Sequence, residues 1–315
     1  MRCLVTGATG FLGSHLVDHL VARGDKVTAL VRSVEKARAL WPTGVRVETA
    51  ELTDRLALEA LLHRAGPAQI YHLAAQPFPL VSWKDPQATF RTNLTGTVAL
   101  LEAVRAWGGT TRVVMASSAA AYAVSHDGHP VAEDGTMDPV SPYGVSKLAA
   151  DASAALYGHR YGLPVVRVRP FFIIGPRKTG DACSDFSHRI ARAEKDGAGS
   201  IAVGNLDMVR DLLDVRDGIP GLVTAMEKGT PGEAYNLCSG RGYSMREVLD
   251  VLKGLALLPI QERHDASLLR PVDEPIKIGD PARLRALGWE PRQTLDGSLR
   301  HLLDYWRERV RAGLG

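Results

Sequence analysis

Apolar residues recur along this chain in two rhythms. Short apolar blocks predict strands at Arg2–Thr6, Lys26–Val31, Val45–Glu48, Gln69–Leu73, Arg112–Ala116 and Pro164–Arg169. Between them lie stretches of helical period: Ser14–Val21, a segment after Thr53-Asp54, a long stretch from Ser82 to about Trp107, and Tyr143–Tyr161. Strand and helix alternate, which predicts an α/β fold with a doubly wound parallel sheet. After Pro170 the pattern changes to loop chemistry at Gly175–Gly180, then short helices, short strands and turns. Leu299, His301, Leu302, Leu303, Tyr305 and Trp306 mark an amphipathic terminal helix. The predicted organisation is a first domain over residues 1–169, with a later segment near 206–238 returning to it. Residues 170–315 form most of a smaller α/β domain, packed directly on the first with a cleft between them.

The turn after the first strand reads Gly7-Ala8-Thr9-Gly10-Phe11-Leu12-Gly13. Glycines there permit a tight turn, close backbone approach to a pyrophosphate and close packing of helix on strand, with the helix N-terminus facing the phosphates. Gly7, Thr9, Gly10, Phe11, Leu12 and Gly13 are therefore expected to hold a dinucleotide, as in a Rossmann domain. The second strand ends Val31-Arg32-Ser33, with no acid to take the ribose 2′-hydroxyl of NAD(H). Arg32 favours a 2′-phosphate, so NADP(H) is preferred and NAD(H) stays open. Glu51 and Leu52 are placed to meet the adenine. Leu73, Ala74 and Ala75 end the fourth strand beside the cofactor, followed by Gln76; His72 reads as a packed strand histidine.

Ser141-Pro142-Tyr143-Gly144-Val145-Ser146-Lys147 carries the chemistry. Ser141 suits an N-cap and Pro142 the first helical position. Tyr143 and Lys147 are four apart and share one helix face. An ammonium beside a phenol is expected to lower the phenol's pKa and make Tyr143 a usable acid/base.

Composition narrows the classes. The 315 residues are 45% hydrophobic and 23% charged, which suits a soluble globular chain. A formal net charge of +3 and no basic block give no sign of nucleic-acid binding. Cys3, Cys183 and Cys238 lack metal-ligand spacing and suit a reducing compartment, so no metal is expected. No apolar run has the length of a membrane span, and Met1-Arg2 passes directly into a strand; a cytoplasmic protein is expected.

Several of these stretches together resemble the extended short-chain dehydrogenase/reductase family, over essentially the whole chain. They are Thr6–Gly13, Asn93 within Thr-Asn-x-x-Gly-Thr, Ser118 four residues before Tyr122, and the Tyr143/Lys147 pair. The resemblance implies a Ser118–Tyr143–Lys147 site. Tyr143 would be the acid/base, and Lys147 would hold the nicotinamide ribose and depress the tyrosine pKa. Ser118 would bind the reacting oxygen, and Asn93 would support the lysine through backbone or water. Residues 204–217, 234–240, 269–275, 278–280 and 287–291 are similar to GDP-sugar-handling members, most of all GDP-4-keto-6-deoxy-mannose reductases, then GDP-mannose 4,6-dehydratases. On that likeness the partner is a nucleotide-diphosphate sugar, with a GDP-sugar favoured. Gln76, Ser118, Phe172, Asn205, Leu206, Arg210 and Arg270 would bind it, the two arginines at pyrophosphate and ribose.

Dehydration needs a further carboxylate beside the site. The resembling dehydratases carry it two residues before the tyrosine that in this chain is Tyr122; Ala120 stands there. The expectation is NADPH-dependent reduction of a C4 keto group. A nucleotide-sugar 4-epimerase or a 4,6-dehydratase is the alternative, and a dinucleotide-binding regulatory protein is the non-enzymatic one. Phe172 replaces a usual Asn, Pro77-Phe78-Pro79 a usual polar stretch and Ala123 a usual Gly, so the sugar pocket would be more apolar. A homodimer is expected through helices Asn93–Ala106 and Tyr143–Tyr161. Val98, Leu100, Leu101, Val104, Leu148, Ala152, Ala155 and Leu156 exceed one sheet-facing stripe.

Overall fold

The computed structural model describes residues 1–268 and 274–314. In chain order come β1 (Arg2–Thr6), α1 (Phe11–Ala22), β2 (Lys26–Val31), α2 (Val34–Leu40), β3 (Arg46–Thr49), α3 (Arg55–Ala65) and β4 (Gln69–His72). Then follow α4 (Pro79–Lys84), α5 (Pro86–Phe90), a π-helical turn (Arg91–Thr95), α6 (Gly96–Trp107), β5 (Arg112–Ala116), α7 (Pro142–Tyr161) and β6 (Val165–Pro170). The second half holds β7 (Phe172–Ile174), α8 (Ala182–Asp196), β8 (Ser200–Val203), β9 (Val209–Asp214), α9 (Val215–Lys228) and β10 (Ala234–Leu237). It ends with β11 (Gly242–Ser244), α10 (Met245–Leu255), β12 (Gln261–His264), β13 (Ile276–Lys277), α11 (Ala282–Ala286) and α12 (Leu295–Arg311).

Seven parallel strands form the main sheet in the order β10-β6-β5-β4-β1-β2-β3. This is the doubly wound α/β fold, and the first six strands lie within one residue of the expected ends. Alternate residues of β1 serve opposite faces, as strand geometry requires. Cys3 and Val5 join a core with α1 and α9, whereas Leu4 joins one with α3, α6 and α7. The return of the later chain begins at α9, which packs on the sheet, and β10 adds the seventh strand. β9 instead lies in a second sheet with β11, β13 and β7. A separate core of α8, α10 and α12 fills that half, with Phe186, Ile190, Val248, Leu252, Leu299 and Leu303 among its side chains. Among the described residues, no helix is long and apolar enough to cross a membrane.

The expected long helix from Ser82 to Trp107 is broken. Asp85 precedes Pro86, and the proline ring drives it out of the helical region, to φ −139° and ψ 79°. Asp85 then caps the next segment, accepting the Ala88 N–H at 2.9 Å. The π-helical turn at Arg91–Thr95 turns Asn93 inward, where it is buried.

Two glycines are required by the first turn. Gly7 has φ +67°, and a Cβ there would stand 2.7 Å from the Ala74 nitrogen. A Cβ on Gly13 would stand 2.1 Å from the Gly7 carbonyl oxygen, so α1 sits directly on the turn. Gly254, inside α10, has nothing within 4 Å of such a Cβ. Gly13→Ala should therefore lower stability by about 1–3 kcal/mol through overpacking. Gly254→Ala should raise it by about 0.5–1 kcal/mol, through helix propensity. Denaturant melts of both variants check this; equal stabilities would contradict the packing described.

Candidate active site

The site lies at the C-terminal edge of the main sheet, where doubly wound folds bind ligands. The β1–α1 turn supplies one wall. Gly10 caps α1 without a side-chain bond, so the first-turn N–H groups of α1 lack a side-chain partner there. Such a helix start, with glycine letting the backbone approach, fits the pyrophosphate of a nicotinamide dinucleotide. Gly7 abuts the backbone of Leu73 and Ala74, so the ends of β1 and β4 form one surface. Arg32 is exposed just beyond β2, and Glu51 is exposed in the loop after β3. Leu52 is half-buried, with its side chain against Gly96 at the start of α6.

A buried thread of hydrogen bonds runs from this wall to the catalytic helix. The Thr6 hydroxyl accepts the Ala74 N–H at 3.2 Å and meets His72 Nδ1 at 2.8 Å. His72 Nε2 meets the Thr97 hydroxyl at 2.9 Å, and that hydroxyl donates to the Asn93 carbonyl at 2.6 Å. The chain of donors fixes the tautomer. Thr97 spends its proton on Asn93, so His72 Nε2 must donate to Thr97 and Nδ1 must accept from Thr6. Burial pushes the His72 pKa down to about 3, so the imidazole is neutral, as this tautomer requires. The Asn93 side chain accepts the Gln76 N–H at 2.7 Å and donates to the Gln76 carbonyl at 3.2 Å and to Ser146 Oγ at 2.9 Å. Ser146 Oγ donates to the Tyr143 carbonyl at 2.7 Å.

α7 begins as its sequence predicts. Ser141 accepts the Gly144 N–H at 3.1 Å, and Pro142 takes the first helical position. Ser82 on α4 accepts the Tyr143 N–H at 3.1 Å, which docks α4 on this end. Ser118, just beyond β5, caps the short turn Ala119–Ala121, with its hydroxyl near enough to the Tyr143 phenol to favour the phenolate. Phenol and hydroxyl thus converge on the cleft.

The electrostatics differ from expectation. Burial pushes the Tyr143 phenol up, and the nearby Ser118 hydroxyl opposes it only in part. Lys147 is not joined to the phenol: its ammonium donates to the Ala116 carbonyl at the end of β5. Burial pushes Lys147 down to about 8, and the carboxylate of Asp151, one turn further on, works against that. The expected lowering of the phenol by Lys147 is therefore absent from this arrangement, because burial disfavours phenolate and the ammonium is drawn to a carbonyl.

Asp151 is part of the far wall. Arg169 grips its two oxygens at 3.0 Å each, and Arg167 adds a bond at 2.6 Å. Arg169 also donates to the Tyr122 hydroxyl at 2.8 Å and the Glu133 carbonyl at 2.7 Å. Glu133 is buried and accepts the Asn236 N–H at 2.7 Å. This carboxylate is thereby held in the wall, and Ala120 leaves a methyl where an acid would stand.

The sequence-predicted substrate residues are more dispersed. Gln76 and Ser118 border the site. Phe172 on β7 lies under the Lys178 ammonium at 4.6 Å, which also sits 5.6 Å from the Phe11 ring. Leu206 is buried in the second core, so its side chain is unavailable to a base. Asn205 accepts the Asp207 N–H at 3.0 Å. Arg210, half-buried on β9, donates to the Val209 carbonyl at 2.8 Å. Arg270 lies outside the described residues. Thr6, Thr97, Ser146, Ser82 and Lys178 were not foreseen; Thr6, Thr97 and Ser146 lie inside stretches the sequence marked, whereas Ser82 and Lys178 had no site signal.

Comparison with known proteins places this geometry. The profile of the GDP-mannose 4,6 dehydratase family matches residues 4–302. The chain is 33% identical to the GDP-6-deoxy-D-mannose reductase of Pseudomonas aeruginosa, over 98% of both proteins. The structure of RMD from Pseudomonas aeruginosa complexed with NADPH is similar, with TM-score 0.84 and 30% identity over 98% of this chain and 100% of that one. The UDP-glucose 4-epimerase of Thermus thermophilus, complexed with NAD, gives TM-score 0.87 and 31% identity over 98% of this chain and 99% of that one. The chain belongs to the GDP-mannose 4,6-dehydratase family of extended short-chain dehydrogenases/reductases, and is an NAD(P)-dependent oxidoreductase.

Proposed function

We propose that the protein reduces the C4 keto group of a GDP-4-keto-6-deoxy-hexose with NADPH, giving a GDP-6-deoxy-hexose. The observation that carries this reading is the Ser118 hydroxyl beside the Tyr143 phenol at a site where position 120 is alanine. The site has a proton donor for O4, alanine stands at position 120, and among the described residues the buried Glu133 is engaged by Asn236. The likeness to a GDP-6-deoxy-D-mannose reductase supports it. The epimerase likeness supports a second reading, a nucleotide-sugar 4-epimerase with the same three residues.

The dinucleotide, when bound, supplies the hydride. Tyr143 gives the phenol proton to O4 as charge develops there, and Ser118 donates a hydrogen bond to the same oxygen. Lys147 would hold the ribose hydroxyls of the dinucleotide, and its positive charge, one helical turn from Tyr143, would stabilise the phenolate. Asn93 holds the N-terminal turn of α7 in place through Ser146. The proposal includes a cytoplasmic location, supported by three buried cysteines without a disulfide.

It also includes a homodimer through the outer faces of α6 and α7. Three of the residues expected there, Leu100, Leu101 and Val104, are instead buried in the chain's own core. The remaining expected residues are Val98, Leu148, Ala152, Ala155 and Leu156, with Leu156 52% exposed, and the exposed Val145 lies on the same helix. A dimeric mass by sedimentation at micromolar concentration, reduced to a monomeric one by Leu156→Glu, is expected. A monomeric wild-type protein would end this part of the proposal.

Two further tests address the chemistry. Tyr143→Phe should lower kcat at least about a hundredfold while leaving NADPH binding and the melting temperature close to wild type. Near-normal turnover would remove the phenol from the mechanism. A panel of nucleotide sugars and 4-keto sugars with NADPH or NADH, followed at the nicotinamide absorbance and by mass, tests the reaction. GDP-4-keto-6-deoxymannose with NADPH should gain two hydrogens, and GDP-mannose should lose no water. Loss of water from GDP-mannose, or activity only on UDP- or dTDP-sugars, would sink the assignment.

A further inference from the structure

One carboxylate lies among three cations where α7 packs on β6. Lys147 and Asp151 are one helical turn apart on α7, so they share a face, and both are buried. Arg167 and Arg169 alternate along β6, so they stand on one side of the strand, the side that meets Asp151. The Ala116 carbonyl that takes the Lys147 ammonium belongs to the residue in register with Val168, which lies between the two arginines. The ammonium is therefore anchored beside a pair of guanidiniums, with Asp151 as the carboxylate of the group.

The other titratable and charged groups around α7 leave Asp151 as the charge that acts on Lys147. Tyr143, one turn back, is neutral, since burial pushes its phenol up. His72 on β4 is neutral as well, with a pKa of about 3. The Tyr122 phenol is pushed up to about 12, and Glu133 is turned to Arg283 and the Asn236 N–H. Arg112, at the other end of β5, donates to the Gly229 carbonyl. Glu102 and Arg105 of α6 meet α7 near its C-terminal end, at Tyr157 and Tyr161. Lys84, Asp85 and Arg91, before α6, are exposed.

Burial disfavours the ammonium and pushes Lys147 down to about 8, and the Asp151 carboxylate raises it. Asp151 is not ion-paired to Lys147, because Arg167 and Arg169 take both carboxylate oxygens. It acts by its field across one helical turn, and a buried site screens that field weakly. The arginines fix the carboxylate where its field is felt, and their own charges offset part of it. With the carboxylate gone, two guanidiniums would face the ammonium unbalanced. A guanidinium stays charged in proteins, so the group to yield would be Lys147, by losing its proton.

We propose that Asp151 is a positioning residue for the reaction: its carboxylate, fixed by Arg167 and Arg169, keeps the Lys147 ammonium charged while Tyr143 gives up its proton. The inference rests on the Tyr143–Lys147 mechanism above and extends it one turn along α7; it does not depend on which sugar is bound. Lys147 carries its charge below its midpoint and loses it as pH rises through that midpoint. Loss of Asp151 should therefore bring the alkaline fall in turnover to lower pH, and loss of an arginine should move it to higher pH.

The first test reads Lys147 in the full chain without substrate. Protein labelled with carbon-13 at lysine Cε is titrated by NMR, and the Lys147 signal is the one lost in Lys147→Arg. Wild type should titrate at pH about 8. Asp151→Asn should titrate at least about one pH unit lower, and Asp151→Glu close to wild type. Arg167→Gln, at a half-buried position, keeps the carboxylate and removes a cation, so its midpoint should rise. Loosening of α7 would instead wet Lys147 and raise the midpoint in both variants. An unmoved or raised midpoint in Asp151→Asn would overturn the proposal. If Asp151→Asn does not fold, Arg167→Gln with a wild-type melting temperature decides, and an unmoved or lowered midpoint there would overturn it. The second test follows NADPH oxidation with GDP-4-keto-6-deoxymannose across pH. The alkaline fall of kcat should track the NMR midpoint in each variant, with KM for the sugar changed less than about twofold. A fall that stays in place while the midpoint moves would overturn the proposal, whereas no wild-type turnover of this sugar would sink the sugar assignment and leave the NMR result to decide on Asp151.

Discussion

The site depends on one buried constraint: polar groups sealed under the sheet edge must all find partners. Thr6, His72, Thr97, Asn93 and Ser146 meet that demand only as a set, since each spends its donor on the next. An unpaired buried polar group costs about 1–3 kcal/mol, so the set locks as a unit. Its ends are the backbone beside the glycine turn and the carbonyl of Tyr143. Closing the thread thus sets the distance between the place for a dinucleotide and the phenol. The neutral His72 is the hinge of the arrangement; a charged imidazole would need two acceptors and break it.

The opposite wall uses charge for the same purpose. Asp151 is buried under two arginines, and removing one partner of such a group typically costs about 3–5 kcal/mol. Arg169 carries the restraint onward to Tyr122 and the Glu133 backbone. α7 is therefore held by hydrogen bonds near Tyr143 and by ion pairs two turns later. Lys147 lies between, and burial and Asp151 act on its charge in opposite senses.

Much of this was legible because local chemistry dictated it. The glycine turn, the Ser141-Pro142 helix start and the Tyr143/Lys147 spacing each have one good structural solution, and the fold adopts it. The parallel sheet followed from the alternation of apolar blocks. What escaped the sequence depended on partners far along the chain. Nothing local to Lys147 marks the Ala116 carbonyl as its partner, 31 residues away. Leu206 lies in a stretch whose resemblance implies contact with the sugar nucleotide, yet the second core claims its side chain. Leu100, Leu101 and Val104 looked surplus to one stripe because α6 packs against both α3 and α7. The break at Asp85-Pro86 was visible as a dipeptide rule but hidden by the apolar period around it.

The central claim is that Tyr143 and Ser118 deliver a proton to the oxygen of a carbon that receives hydride, with net consumption of the cofactor. Transfer from NADPH deuterated at nicotinamide C4 to GDP-4-keto-6-deoxymannose tests it most directly. The account predicts one deuterium at C4 of the GDP-sugar product for each labelled cofactor oxidised. Interconversion of a nucleotide sugar with no label incorporated and no cofactor consumed would contradict it.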